Sequence, residues 1–497
     1  MANSMVQNSN NDDLPSNFSK LINLRHLELP YVTKIPKHIG KLENLRALPY
    51  FFVEKQKGYD LKELEKLNHL QGKIYIEGLG NVIDPTDAVT ANLKDKKYLE
   101  ELHMNFCDRI EEMDESIVES NVSVLEALQP NRNLNCEICS LLPPLGQLPF
   151  LKELRISDCN VIKIIGKEFY GNNSIIVPFR SLEVLKFEQL ENWEEWLFIE
   201  EFPLLKELEI RNCPKLKRAL PQHLPSLEKL KIVCCKELEA SIPKGDNIID
   251  LHLVGCESIL VNELPTSLKK LVLWESRYIK FSLEQTFLNN TNLEELEFDF
   301  RGFVQCCSLD LLNISLRILS LKGWRSSSFP FALHLFTNLH SLYLSDCTEL
   351  ESFPRGGLPS HLRNLVIWNC PKLIASREEW GLFQLNSLTS LNIRDHDFEN
   401  VESFPEENLL PPTLPTLQLN NCSNLRIMNY KGFLHLKSLK GLSIHNCPSL
   451  ERLPEEGLRS SLSSLYVTDC PLIKQQYRRD EGERWHLMTL GHALLLA

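Results

Sequence analysis

The sequence predicts an α/β repeat solenoid, a horseshoe with a parallel sheet on its concave face and short 3₁₀ or irregular convex segments. Three features predict it: a recurring apolar pattern, the period of that pattern, and a proline that often stands just before it. The pattern is L-x-x-L-x-I-x-x-C, seen in Leu205, Leu208, Ile210 and Cys213. It returns at Leu227, Leu230, Ile232 and Cys235; at Ile248, Leu251, Leu253 and Cys256; and at Leu339, Leu342, Leu344 and Cys347. Further copies run from Leu362 to Cys370, Leu414 to Cys422, Leu439 to Cys447 and Leu462 to Cys470. Copies starting at Leu24, Leu182, Leu268, Leu293, Leu316 and Leu388 carry another residue in the last place, and those starting at Leu99 and Leu151 end in Cys107 and Cys159. Neighbouring first leucines stand about 22 residues apart, inside the roughly 20 to 29 residues of a leucine-rich repeat, which predicts about 17 repeats.

Each element follows from local geometry. Alternate residues of a strand share a face, so the second leucine and the isoleucine of each copy point inward together, joined by the first leucine. One repeat cannot bury them alone; stacked neighbours make a continuous core and a parallel sheet. Pro149, Pro203, Pro225, Pro265 and Pro359 precede strands. They interrupt any arriving helix, so true helices are expected to be a minority.

The ninth-place cysteines explain most of the cysteine content. Ten of the 15 cysteines occupy that turn, among them Cys213, Cys235, Cys256, Cys347, Cys370, Cys422, Cys447 and Cys470. A small thiol packs there and can donate to a loop carbonyl. These are read as reduced core cysteines, since the chain is long and its Asn-rich start lacks the basic and apolar parts of a secretion signal. Cys136-x-x-Cys139 has the spacing of half a zinc site without a second half, and Cys306 and Cys307 are equally unaccompanied, so no metal site is assigned.

Composition bounds the function. Of 497 residues, 43% are hydrophobic and 24% charged, as in a folded soluble protein, and no apolar run is long enough for a membrane span. The formal net charge of -12 argues against a nucleic-acid partner, which requires clustered Lys and Arg. No G-x-S-x-G, H-E-x-x-H or G-x-x-x-x-G-K-[ST] motif occurs. Gly78-Leu79-Gly80 reads as a turn, and the acidic pairs Glu194–Glu195 and Glu294–Glu295 as solvated surface. No catalytic residue and no cofactor is therefore assigned.

Several stretches go beyond a generic repeat: Leu14 to Leu27, Ile35 to Leu42, Phe51-Phe52-Val53, Leu61-Lys62-Glu63-Leu64, Asn81-Val82 with Asp87-Ala88, Ala91-Asn92-Leu93-Lys94 and Val124 to Pro130. They continue with Leu142 to Pro149 and with turns such as Asn446-Cys447-Pro448-Ser449-Leu450. In this order they resemble the repeat region of plant nucleotide-binding leucine-rich-repeat disease-resistance proteins of the coiled-coil class. The resemblance implies a cytoplasmic receptor module that binds a pathogen effector or a guarded host protein through the concave face. It also implies restraint of a nucleotide-binding domain, whose phosphate loop is not in this sequence. The alternative is a leucine-rich-repeat scaffold or substrate adaptor unrelated to immunity.

The family pattern divides the chain into a disordered start at 1–13, irregular repeats at 14–130, a junction at 131–147, regular repeats at 148–473 and a tail at 474–497. The junction reads as a deletion, and the inward register of the strands on its two sides is expected to break there. The end from Leu490 to Ala497 departs from the family's pattern.

Outward strand positions change character along the chain. Lys152, Arg155, Lys206, Lys229 and Lys231, interspersed with glutamates, are the candidate contacts to a switch domain. Trp274, Tyr343, Trp368, Asn392, Gln418 and Tyr466 are the candidate protein-binding residues, with Trp274 and Trp368 expected at the concave rim.

Overall fold

A computed structural model describes residues 17–28, 35–82, 85–106, 142–171, 177–197, 202–217, 220–243, 246–256, 259, 261, 264–275, 292–302, 315–329, 332–354, 357–394, 401–454, 462–479 and 493–496. Cys107, Cys136, Cys139, Cys306, Cys307, the 1–13 start and most of the 131–147 junction lie outside them. The described residues divide into two compact units, the first ending at Pro265 and the second opening at Thr266.

In the first unit the strands Tyr50–Phe52, Gln71–Glu77, Tyr98–Asn105, Glu153–Ser157, Val184–Glu188, Glu207–Arg211, Lys229–Val233 and Asp250–Val254 form one parallel sheet in sequence order. Inward residues face inward residues: Leu208 pairs with Leu230 and Ile210 with Ile232. The first leucines join them, and Leu205, Leu208 and Ile210 are all fully buried. Each such side chain contributes roughly 1.5 to 3 kcal/mol of transfer free energy.

The second unit repeats the arrangement through Lys270–Trp274, Glu295–Asp299, Ile318–Lys322, Ser341–Ser345, Asn364–Trp368, Ser390–Arg394, Thr416–Asn420, Gly441–His445 and Ser464–Thr468. Returning segments are mostly 3₁₀, as at Leu145–Gln147, Leu333–Leu335 and Leu382–Gln384. Short α-helices at Pro85–Ala91, Pro371–Ala375, Tyr430–Leu434 and Pro471–Arg479 are the minority form. Gly78 does form a turn, left-handed at φ 73° and leading into the 3₁₀ segment Leu79–Asn81.

One expectation is corrected. The register does not break across 131–147, because Leu102 lies opposite Leu154 and Met104 opposite Ile156. A parallel sheet requires only that the next inward pair arrive in phase, whatever the length of the intervening chain. Within the segment that departs from the family's pattern, Ala493–Leu496 pairs in parallel with Ser464–Thr468. A short β-competent segment there satisfies backbone groups that an open sheet edge would leave unpaired.

The residue between strand and cysteine is left-handed in repeat after repeat. Asp158, Asn212, Asp346, Asn369, Asn421, Asn446 and Asp469 all have φ between 51° and 62°, with Gly255 at 64°. Asn, Asp and Gly tolerate this conformation best, which gives the N-C-P turns a backbone reason. A methyl group on Gly255 would meet Cys234 no closer than 3.4 Å, so the strain of substitution lies in φ alone. Gly255→Ala should therefore cost about 1 to 2 kcal/mol and Gly255→Asn less, as measured by urea denaturation followed by circular dichroism.

Candidate protein-recognition surface

The face of each sheet turned away from the core carries the alternate strand residues. In the first unit, from Glu153–Ser157 onward, these are mostly charged, and cross-strand partners already engage them. Lys152 lies 2.7 Å from Glu100 and Lys206 2.7 Å from Glu183. The Arg155 guanidinium pairs with Glu188, and Lys229 reaches Glu207 at 4.0 Å. Lys186, 3.0 Å from Glu207 and 3.7 Å from Glu209, extends the ladder. The hydrogen bond and charge of Glu100 raise the Lys152 ammonium, and Glu183 does the same for Lys206. Burial pushes the Glu209 carboxyl up, but the Arg211 hydrogen bond and charge, with Lys186 and Lys231, hold it below its ordinary value. Exposed pairs of this kind contribute little to stability, so they can be exchanged for a partner's charges at little cost.

In the second unit charge persists on the first strands, where Lys270 meets Glu295 at 2.8 Å, and from Ser341–Ser345 onward the outward positions are mostly aromatic, amide or hydroxyl. Tyr343, Trp368 and Tyr466 are 37%, 38% and 42% exposed, high for such large rings. Arg394 stands over the Trp368 ring at 5.0 Å, which fixes the indole with one face toward a cation. Trp274 is half-buried, with Lys322 over its ring at 5.2 Å. Asn392 donates to Gln418 at 3.0 Å and accepts from Asn420 at 2.9 Å, so these amides form a self-satisfied row.

The six candidates do not make one patch. Tyr343 and Trp368 occupy adjacent strands, whereas Trp274 and Tyr466 each lie four strands from Trp368, about 19 Å at the usual inter-strand spacing. Tyr343, Trp368 and Arg394 form the central group, flanked by the amide row.

The eight core cysteines are buried, none more than 4% exposed. Each thiol donates to the carbonyl two residues back, at the strand's end: Cys213 to Arg211 at 3.4 Å, Cys235 to Val233 at 3.5 Å, Cys370 to Trp368 at 3.3 Å. Several also reach the preceding repeat, as Cys256 does to the Ile232 carbonyl at 3.5 Å. The sulfurs thus tie each strand's last turn to the one before. The hydrogen-bonding contact with Cys422, which favours the protonated thiol, and burial push Cys447 up to about 12, far from the reactive thiolate form.

Sequence reading missed an aromatic row in the irregular repeats, where Tyr50 and Tyr75 stack at 5.0 Å and Tyr75 meets His103 at 4.1 Å. It also missed the acidic neighbours of His103, Glu101 and Glu153. The available signal was two-residue alternation in Gln71–Glu77 and Tyr98–Asn105, which sets these side chains on the outward face.

Stacked parallel strands, inward leucine triplets and 3₁₀ returns define a leucine-rich-repeat protein. Its homologues are plant disease resistance proteins: the chain is 32% identical over 380 residues to the disease resistance RPP13-like protein 1 of Arabidopsis thaliana, covering 66% of this chain and 32% of that one. It is 31% identical over 275 residues to the disease resistance protein RGA2 of Solanum bulbocastanum, covering 46% of this chain and 27% of that one. The R13L1/DRL21 leucine-rich-repeat family matches residues 61–135. Among solved structures, a TLR13–ssRNA13 complex aligns with a TM-score of 0.47 at 17% identity, over 99% of this chain and 67% of that one. The chain spans about a third of the length of the first of these curated relatives. Among the described residues, no helix is long and apolar enough to cross a membrane.

Proposed function

We propose that the chain is the protein-recognition module of a plant innate-immune receptor. It takes a pathogen effector or a guarded host protein on the outward face of its sheet and restrains a nucleotide-binding switch, and the reading places it in the cytoplasm. The observation that carries the proposal is homology to plant disease resistance proteins over 66% of the chain. The division of the surface supports two partners. The exchangeable ion pairs around Lys152, Arg155, Lys206, Lys229 and Lys231 suit a charged domain surface. The exposed group of Tyr343, Trp368 and Arg394 suits an anchor in a ligand's pocket. Binding, not catalysis, is the activity proposed, and the relatives do not favour a scaffold or adaptor outside immunity.

The test is transient expression in leaves beside a nucleotide-binding fragment of a disease-resistance relative that triggers cell death when expressed alone. The intact chain should co-precipitate with the fragment and suppress cell death. Combined Lys206→Glu, Lys229→Glu and Lys231→Glu should abolish suppression, while Tyr343→Ala with Trp368→Ala should leave it unchanged. Absence of both association and suppression by the intact, folded chain would refute the restraining role.

A further inference from the structure

In the first unit, Tyr98–Asn105 and Glu153–Ser157 run side by side with Glu101 opposite Glu153 and His103 opposite Arg155. Glu101 and His103 are two residues apart on one strand and so share its outward face. One ligand atom from each of Glu101, His103 and Glu153 can be chosen so that all three lie within 4.8 Å of one another. His103 is half-buried, and its Nε2 is closed off from solvent without a partner in hydrogen-bond geometry. The nearest carboxylate oxygen, Glu153 Oε1, stands 3.3 Å away. Tyr75 covers the imidazole, with ring centroids 4.1 Å apart. A nitrogen closed off from water without a well-aligned partner is disfavoured, so this arrangement suits a ligand that accepts its lone pair.

We propose that Glu101, His103 and Glu153 bind one divalent transition-metal ion of the zinc class, through the His103 Nε2 and one oxygen of each carboxylate, with a further position open to water or a partner's side chain. Tetrahedral coordination at about 2.0 to 2.2 Å separates ligand atoms by roughly 3.4 Å. The His103–Glu153 spacing already matches, and the Glu101 carboxylate closes the set by a side-chain rotation. An imidazole among the ligands selects zinc-like ions over magnesium or calcium, which prefer oxygen alone.

The surrounding charges permit the ion. Arg155 is engaged by Glu188, and Lys186 by Glu207 and Glu209, so these cations are neutralised from the next strands. Lys73, opposite Glu101 on the preceding strand, is a third cation on this side, against two carboxylates. This inference is independent of the immune role, because it concerns only what these three side chains hold.

Cobalt(II) titration of the full-length, tag-free, metal-stripped chain tests it. Nitrogen and oxygen ligands give visible d–d absorption without a thiolate charge-transfer band, which separates this site from the cysteines. One equivalent should bind with that spectrum and be displaced by Zn²⁺. His103→Gln and Glu153→Gln should each weaken binding by about 100-fold or more, since loss of an outer-shell partner alone costs about 10- to 100-fold. Circular dichroism without metal should match the parent for both variants; should one fail to fold, the other carries the comparison. No stoichiometric binding, a thiolate-dominated spectrum, or undiminished affinity in a folded variant would overturn the proposal.

Discussion

Trp196→Ala should lower the stability of the first unit by about 3 to 5 kcal/mol, the range for truncating a fully buried large aromatic. Trp196 is 1% exposed and packs against Phe187, Trp193 and Phe202 at ring-centroid distances of 5.4, 5.7 and 6.2 Å. Its Nε1 donates to the Tyr170 hydroxyl at 3.0 Å, inside a cluster that includes Phe169 and Phe179. Truncation opens a cavity and also strips a buried hydroxyl of its donor. Trp196→Phe separates the two effects: it retains part of the packing but leaves the hydroxyl unmatched, for a loss of roughly 1 to 3 kcal/mol. Urea denaturation followed by circular dichroism measures both. A loss below about 1 kcal/mol for the alanine variant would show that this cluster does not hold the unit together.

A second large effect should appear with pH at Lys96. This lysine is fully buried, and its Nζ donates to the Leu64 carbonyl at 2.7 Å and the Leu67 carbonyl at 3.4 Å, closing the return segment of the preceding repeat. Burial pushes its ammonium down to about 8, from an ordinary 10.5. Below pH 8 folded and unfolded chains both hold the proton. Between 8 and 10.5 the folded chain has released it while the unfolded chain retains it, so unfolding takes up a proton and stability rises with pH. The neutral amine still donates to both carbonyls. The stability advantage of the parent over Lys96→Met should therefore widen from pH 7 to pH 10, by up to an order of 3 kcal/mol. Subtracting the variant cancels the titration of other groups. A gap that stays flat over that range would mean that the ammonium is not desolvated.

Legibility in the sequence followed range. The inward triplets, the strand positions, the buried turn cysteines and the minority of helices were readable because each depends on residues within one repeat. Leu208, Ile210 and Cys213 are buried for reasons contained in nine consecutive residues and their recurrence. The left-handed turn before each cysteine was half-visible in its Asn and Asp residues, yet Gln189, Cys234 and Glu275 adopt the same conformation without such a signal, at φ 54°, 56° and 53°. There the repeat's closure overrides local preference.

What only the tertiary structure decided depends on the neighbouring repeat. Lys96 sits in the polar run Leu93-Lys94-Asp95-Lys96-Lys97, which by itself describes a solvated turn; the carbonyls of Leu64 and Leu67, about 30 residues earlier, make it an interior residue. Glu153 meets His103 across a span of chain whose length no periodicity would predict. The glutamates interspersed with the outward lysines were visible in sequence, but not which of them meet: Lys152 stands beside Glu100 and Lys206 beside Glu183, each on the neighbouring repeat. A repeat pattern determines which face a side chain occupies, because that is set by strand alternation. It leaves open what stands opposite, because that is set by stacking, and stacking depends on the length and path of every returning segment.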